Sequence, residues 1–390
     1  MRMLFLTHLV PYPAASGGAV VAGQTLESLA RMGAVDVCAF IPWWRPVRVE
    51  QLRQVAHRCT VLPLRRRKTL YWLPLHMRGL PYYVFRDYSP EMERSVRRLL
   101  SRSYDLVIVD SLYMSPYVTN PQQPIILQEH NVEWYLVESF VRLWREPWWR
   151  LVGKLEAGAL RRYEVQYCAR CDAVVALSAE DRERLRQAGV RTRIEVIPPS
   201  IEVKKGRPNA SGRYILHVGT GHWPPAADGI RWFLRAVFPR IQRMVPGAEF
   251  WLAGAPPADL RGTRVPDGVR VLGYIEDLEP VYQEAAVFVV PLRVGSGVRL
   301  KILHALARGL AVVSTAAGCE GLGLVDGVHG RIANSAEEFA DAVVELLEHP
   351  GLRKRLGDAG QAFVREHFNH QVRQARWERL VQEIVRGGRS

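Results

Sequence analysis

Short apolar runs alternate along the first half of the chain with segments whose apolar residues recur at helical spacing. "RMLFLTHL", "VDVCAFI", "DLVIVD", "PIILQEH" and "DAVVALS" read as buried strands. "GAVVAGQTLESLARMG" reads as a helix opening at Gly17-Gly18 and closing at Gly33. "AEDRERLRQAG" reads as another, with Ser178 as N-cap and Asp181 three residues on. This βα repetition predicts a parallel sheet covered by helices.

The alternation breaks at "KKGRPNASG", residues 204–212, which has no apolar period and reads as a linker. Beyond it the alternation restarts with "RYILHVG", "AEFWLAG", "VRVLGYI", "AVFVVPL" and "AVVST" as strands. "GIRWFLRAVFPRIQRM", "LEPVYQEA" and "AEEFADAVVELLEH" are the helices between and after them. The predicted fold class is α/β: two Rossmann-like domains, residues 1–203 and 213–370, facing a cleft with ligands at the carboxyl ends of the strands. A last helix within residues 371–390, about Gln371 to Val385, follows the completed second sheet and is expected to cross back to the first domain.

Composition agrees with two ordinary globular cores: 390 residues exceed what one core spans, and 48% hydrophobic with 24% charged residues leaves little room for disorder. No uncharged apolar run approaches ~18 residues, so no membrane span is expected. The start reads as a first strand rather than a signal peptide, which makes a soluble, cytoplasmic protein the expectation. The five cysteines are odd in number and scattered. Cys168 and Cys171 form a lone CxxC without the second pair that a structural zinc site wants, so they read as buried thiols.

Charge changes the picture more. The net charge is +14, and the stretch from Arg45 to Arg102 holds 14 Lys/Arg against 4 Asp/Glu, an excess of ten. It includes "LRRRK", Leu64 to Lys68, and is interleaved with Trp43, Trp44, Tyr71, Trp72, Tyr82 and Tyr83. Cations among aromatics suit an anionic membrane surface, and a solvated basic face is the plainer alternative. Nucleic acid is not expected, because no nucleic-acid motif accompanies the charge.

Three glycine turns follow predicted strands. In "VGSGVRLKILHALARG", Gly295, Ser296 and Gly297 free the backbone to approach a ligand at a helix start, with Arg299 and Lys301 expected in the first turn. Those are the wrong charges for that helix end unless an anion binds there. In "HVGTGHWPPAADG", Gly219 and Gly221 are followed by His222, by Trp223 as base-stacking platform or packing anchor, and by Asp228. Gly17-Gly18 makes the third. "LQEHNVEWY" groups Glu129, His130, Asn131 and Glu133 at a strand end, where a histidine can position a substrate or stabilise its charge. With no DxD, P-loop or HExxH motif, neither a metal site nor P-loop phosphoryl transfer is expected.

Together these residues resemble the family-4 retaining glycosyltransferases of the GT-B fold, in the bacterial branch associated with exopolysaccharide assembly. The stretches carrying the resemblance are "VPYPAASGGAV", "EHNVEWY", "VVALSAEDRERL", "VIPPSIEV", "HVGTGHWPPAADGIRWF", "VVPLRVGSGVRLKILHALARGLAVVSTAAGCEGL" and "SAEEFADAV". The resemblance implies a nucleotide-diphospho-sugar held mainly by the second domain as a substrate, with no separate cofactor. It places Gly17 and Gly18 near the diphosphate and His130 against the transferred sugar. The "GSGVRLKILHALARG" stretch matches a donor motif that normally holds two glutamates eight positions apart. Val294 or Ser296 stands where the first is expected, and His304 replaces the second.

Arg299 and Lys301 would then substitute for the cation pair that many relatives carry in the turn matching "GTGHWPPAADG". His304, kept neutral by those cations, would make one ribose hydrogen bond, and Glu320 is the nearest remaining acid that can face the donor. The expected activity is retaining transfer from a nucleotide-sugar, a UDP-sugar first among them, to a membrane-associated glycan or lipid-linked acceptor in polysaccharide biosynthesis. The protein would work peripherally on the inner face of the membrane. Two alternatives stay open: a GT-B protein that binds nucleotide-sugar or partners without turnover, and a nucleotide-sugar epimerase.

Overall fold

The structure is a computed structural model that describes all residues except 15, 45, 66–71, 120, 145, 205–213, 262–264 and 388–390. Arg45, Arg66, Arg67, Lys68 and Tyr71 of the basic stretch, and all of the predicted linker but Lys204, lie outside the described residues. The chain divides into two compact units, Met1–Pro199 with Gln371–Ser390, and Ser200–His370.

Unit 1 is built on seven parallel strands: β1 (Arg2–Leu9), β2 (Ala34–Ile41), β3 (Arg58–Pro63), β4 (Leu106–Asp110), β5 (Ile125–Gln128), β6 (Ala173–Ala176) and β7 (Ile194–Val196). Their order is β3-β2-β1-β4-β5-β6-β7. The order reverses between β1 and β4, so the crevice at their carboxyl ends is the switch point where such sheets take ligands. Strands β4, β5 and β6 are buried along their whole length, as continuous apolar runs require when helices cover both faces.

The helix Gly17–Ala30 starts at the two glycines, where the Ser16 side chain accepts from the Ala19 N–H. The last helix, His370–Gly387, lies on this unit from Gln371 onward. Trp377, Leu380 and Val381 enter one apolar layer with Met3, Phe5 and Leu26. Arg373 secures it, donating to the Pro198 carbonyl at 2.8 Å and to Thr25 Oγ1 at 2.6 Å.

Unit 2 holds six strands: β8 (Tyr214–Val218), β9 (Glu249–Ala253), β10 (Val269–Gly273), β11 (Ala285–Val290), β12 (Ala311–Ser314) and β13 (Arg331–Ile332), in the order β10-β9-β8-β11-β12-β13. Its switch point falls between β8 and β11. The helix expected from Gly229 begins earlier, at Pro224, because proline fits the first helical position. It passes through a π turn at Phe233–Val237 and continues as Phe238–Met244, the wide turn preceding Pro239, whose ring disfavours an unbroken α register. Among the described residues no helix is long and apolar enough to cross a membrane.

Candidate functional site

In unit 1 the strand register aligns Thr7, Asp110 and Gln128 in one row across β1, β4 and β5. Asp110 is buried. Its Oδ2 accepts from Thr7 Oγ1 at 2.7 Å, and its Oδ1 meets His130 Nε2 at 2.6 Å. Burial alone lowers the His130 pKa, but the charge and hydrogen bond of Asp110 outweigh it, and the net shift is upward. The other ring nitrogen, Nδ1, lies over the first turn of the helix Gly17–Ala30, where a Cβ on Gly18 would sit 3.1 Å from it. The structure thus brings Gly17-Gly18 and His130 together.

The loop bearing His130 is fixed by a buried carboxylate. Glu164 accepts the backbone N–H groups of Glu133 at 3.1 Å and Trp134 at 3.2 Å, capping the helix Glu133–Val141. Glu133 is buried and receives the Tyr113 hydroxyl at 3.3 Å, with burial raising its carboxyl. Glu129 stands apart, 1% exposed with neither carboxyl oxygen hydrogen-bonded among the described residues. Burial, and then Glu164, push its carboxyl well above the usual range and favour the neutral acid.

In unit 2 Gly219, just after β8, meets the side chain of Lys301 from the helix Leu300–Leu306 that follows β11. A Cβ on Gly219 would lie 2.5 Å from Lys301 Nζ and 3.0 Å from His217 Nε2, so a glycine is required for the lysine to reach this place. Gly295 has φ +145, and a Cβ on it would meet Arg299 Nη2 at 2.1 Å. Arg299 is buried, its Nη1 donates to the Ser296 carbonyl, and its guanidinium lies 5.4 Å from the Trp223 ring centroid. Trp223 therefore acts as a packing surface for Arg299.

The structure departs from two expectations. Arg299 and Lys301 do not share the first turn of a helix opened by Gly295–Gly297. The helix is Leu300–Leu306, with Arg299 at its N-cap and non-helical (φ −90, ψ 87). The physical reason is that the Arg299 side chain turns back to the Ser296 carbonyl. His304 is pushed down to about 4, and so is neutral at pH 7, by burial and then by Arg308, rather than by Arg299 and Lys301. Arg308 Nη1 donates to the His304 carbonyl at 2.9 Å while its guanidinium bridges Glu279 at 2.8 Å.

Lys301 is half-buried, and burial followed by the Arg299 charge lowers its ammonium to about 7. His217, absent from the sequence candidates, is buried with Nδ1 2.8 Å from the Val289 carbonyl, which makes Nδ1 the donor. Burial and Lys301 lower its pKa to about 3, leaving a neutral ring whose Nε2 has no hydrogen-bond partner among the described residues. His222 is exposed and closes its own turn, Nδ1 lying 2.7 Å from Thr220 Oγ1. Gly221 packs against Pro257. Glu320 is half-buried beyond the short helix Ala316–Cys319, which Thr315 Oγ1 caps by accepting from the Gly318 N–H at 2.9 Å. Cys168 and Cys171 are buried, and burial raises both thiols. Among the described residues no three His, Cys, Asp or Glu side chains converge as a metal site.

Two parallel sheets, each with glycine-lined turns at its own switch point, are the architecture of the GT-B fold. Residues 15–205 match the family described as Glycosyltransferase Family 4, and residues 212–349 match Glycosyl transferases group 1. The chain belongs to these glycosyltransferases. It is 23% identical over 389 residues to an uncharacterised 44.6 kDa protein in the cps region of Klebsiella pneumoniae, an alignment covering 94% of this chain and 96% of that one. Sucrose-phosphate synthase from Thermosynechococcus elongatus superposes with a TM-score of 0.73 at 18% identity, covering 99% of this chain and 100% of that one. HepE of Anabaena in complex with UDP and glucose superposes with a TM-score of 0.70 at 15% identity, covering 98% and 100%.

Proposed function

We propose that this glycosyltransferase moves a sugar, with retention at the anomeric carbon, from a UDP-sugar to a membrane-associated glycan or lipid-linked acceptor in polysaccharide assembly. The observation that carries the donor reading is the Lys301 ammonium, from the helix after β11, seated against Gly219 in the turn after β8. A cation held partly out of water is poised for an anion of matching charge density. Arg299 exchanges the Ser296 carbonyl for a phosphate oxygen, and the two cations offset the charge that develops on the departing diphosphate. His304, neutral and one turn along the same helix, makes a single ribose hydrogen bond. The His130 ring, oriented by Asp110, holds the sugar, with backbone amides of Gly17-Gly18 beside it. Glu320 is the acid left to face the donor. The UDP-bound neighbour supports the base, and the cps-region relative supports a polysaccharide acceptor.

A second reading, binding of nucleotide-sugar without turnover, is favoured by Val294 or Ser296 and His304 standing in place of the acidic pair; it predicts UDP binding without donor hydrolysis. Thermal shift and calorimetry with UDP and with uridine test the donor site. Replacing Arg299 and Lys301 together by Ala should weaken UDP by about 2–4 kcal/mol and leave uridine nearly unchanged. Equal losses for both ligands would place the cations away from the diphosphate.

A further inference from the structure

We infer that the outer groove of the helical hairpin 133–168 in unit 1 docks on the phosphate headgroups of an anionic lipid surface. The inference rests on the membrane-associated acceptor proposed above and gives that association a site. The hairpin pairs the helices Glu133–Val141 and Pro147–Cys168. It closes tightly because Gly153 lacks a side chain: a Cβ there would lie 2.4 Å from Val141 Cγ2 and 2.6 Å from Trp144 Cζ3.

At about 100° per residue the second helix presents three faces. Gly153, Glu156, Leu160, Glu164 and Tyr167 are buried. Arg150, Lys154 and Arg161 form a second face which, with Trp134 of the first helix and Arg142 at its C-cap, lines a groove of about 330 Å³. Trp148, Leu151 and Leu155, at i, i+3 and i+7, make a third face that is apolar and exposed, with Trp148 65% exposed and the adjoining Trp149 49%.

The charge on this groove is in excess: among the described residues four cations line it against one acid, Glu138. Glu133, Glu156 and Glu164 face inward, where Glu156 accepts the backbone N–H groups of Tyr82 and Tyr83 at 3.3 and 2.7 Å and Glu164 caps the first helix, while Glu146 is exposed at the start of the second helix. No ion pair to Arg142, Arg150, Lys154 or Arg161 forms among the described residues, and the Arg161 guanidinium lies over the Trp134 ring at 5.2 Å. A small soluble anion would account for the cations but leave Trp148, Trp149 and Leu151 without purpose. An apolar protein partner would account for the indoles but leave the cations uncompensated. A bilayer surface accounts for both, because indoles settle at headgroup depth while cations meet lipid phosphates.

The test is sedimentation of the full chain with vesicles of phosphatidylglycerol in phosphatidylcholine, against phosphatidylcholine alone. Binding is expected only to the anionic vesicles, weakening with salt. Arg150→Ser with Lys154→Ser and Arg161→Ser should lower it roughly 100-fold, at about five-fold per cation. Trp148→Ser with Trp149→Ser should lower it too and remove the blue shift of tryptophan emission, while melting temperature and UDP stabilisation stay those of the parent chain. The inference is overturned if the triple variant binds undiminished, or if changing Arg48, Arg53, Arg58 and Arg65 alone abolishes binding. It is also overturned if inorganic phosphate binds the hairpin while the vesicles do not. A chain that takes vesicles but not UDP loses the donor reading alone, and one that takes UDP but not vesicles loses this inference alone.

Discussion

Lys301 carries its charge at a cost to the fold. Its ammonium titrates near 7 instead of near 10.5, so between those values the unfolded chain holds more protons than the folded one. The Lys301 contribution to stability therefore rises with pH from about 7 to about 10.5, and its penalty is fully present below about 7. A diphosphate needs the charged form, so UDP affinity should fall over the same range, by up to about tenfold per pH unit. Melting temperature and calorimetric affinity, followed against pH, should thus slope in opposite directions, and Lys301→Met should flatten both. A UDP affinity indifferent to pH in the parent chain would show that the ammonium does not meet the phosphates. His130 runs the other way. Asp110 raises its folded pKa, so its contribution is present below the ordinary histidine value of ~6.5 and is lost as pH rises through the raised value.

At the scale of elements, the last helix is the one whose removal the first sheet should feel most. Trp377 is fully buried in the layer that holds Met3, Phe5 and Leu26, and Trp377→Ala should cost roughly 3–5 kcal/mol of unit 1 stability in denaturant unfolding. A loss within about 0.5 kcal/mol would mean that the helix is an ornament on the sheet. The central strands were legible in the sequence because continuous apolar runs announce strands buried on both faces. β3, β7 and β13 were not, since "RCTVLP", "IEV" and "RI" are short or half-exposed and owe their conformation to the neighbours they pair with. The site divides in the same way. The glycine turns and His130 were visible from their spacing at strand ends. Asp110 and His217 were hidden inside apolar runs, and the groups that give them meaning, His130 and the Val289 carbonyl, lie 20 and 72 residues away along the chain. Arg299 misled for a related reason: only the folded loop reveals the Ser296 carbonyl that draws it out of the helix.

At the scale of the whole molecule, each unit has its own sheet, core and switch point, and the cations proposed to hold the donor, Arg299 and Lys301, belong to unit 2. Hydrogen exchange with and without UDP should therefore show protection gathered at Gly219–Trp223 and Gly295–Leu300; protection confined to residues 1–199 would contradict the donor assignment. The division of the chain has a consequence for synthesis as well. A ribosome delivers residues 1–199 first and then the whole of Ser200–His370 before it reaches Trp377. At ~5–20 residues per second that interval lasts roughly 10–35 s, during which Met3, Phe5 and Leu26 lack the helix that covers them. The unit that is translated first is thus the one completed last, and its unfinished apolar face is the surface for which a nascent-chain chaperone would compete.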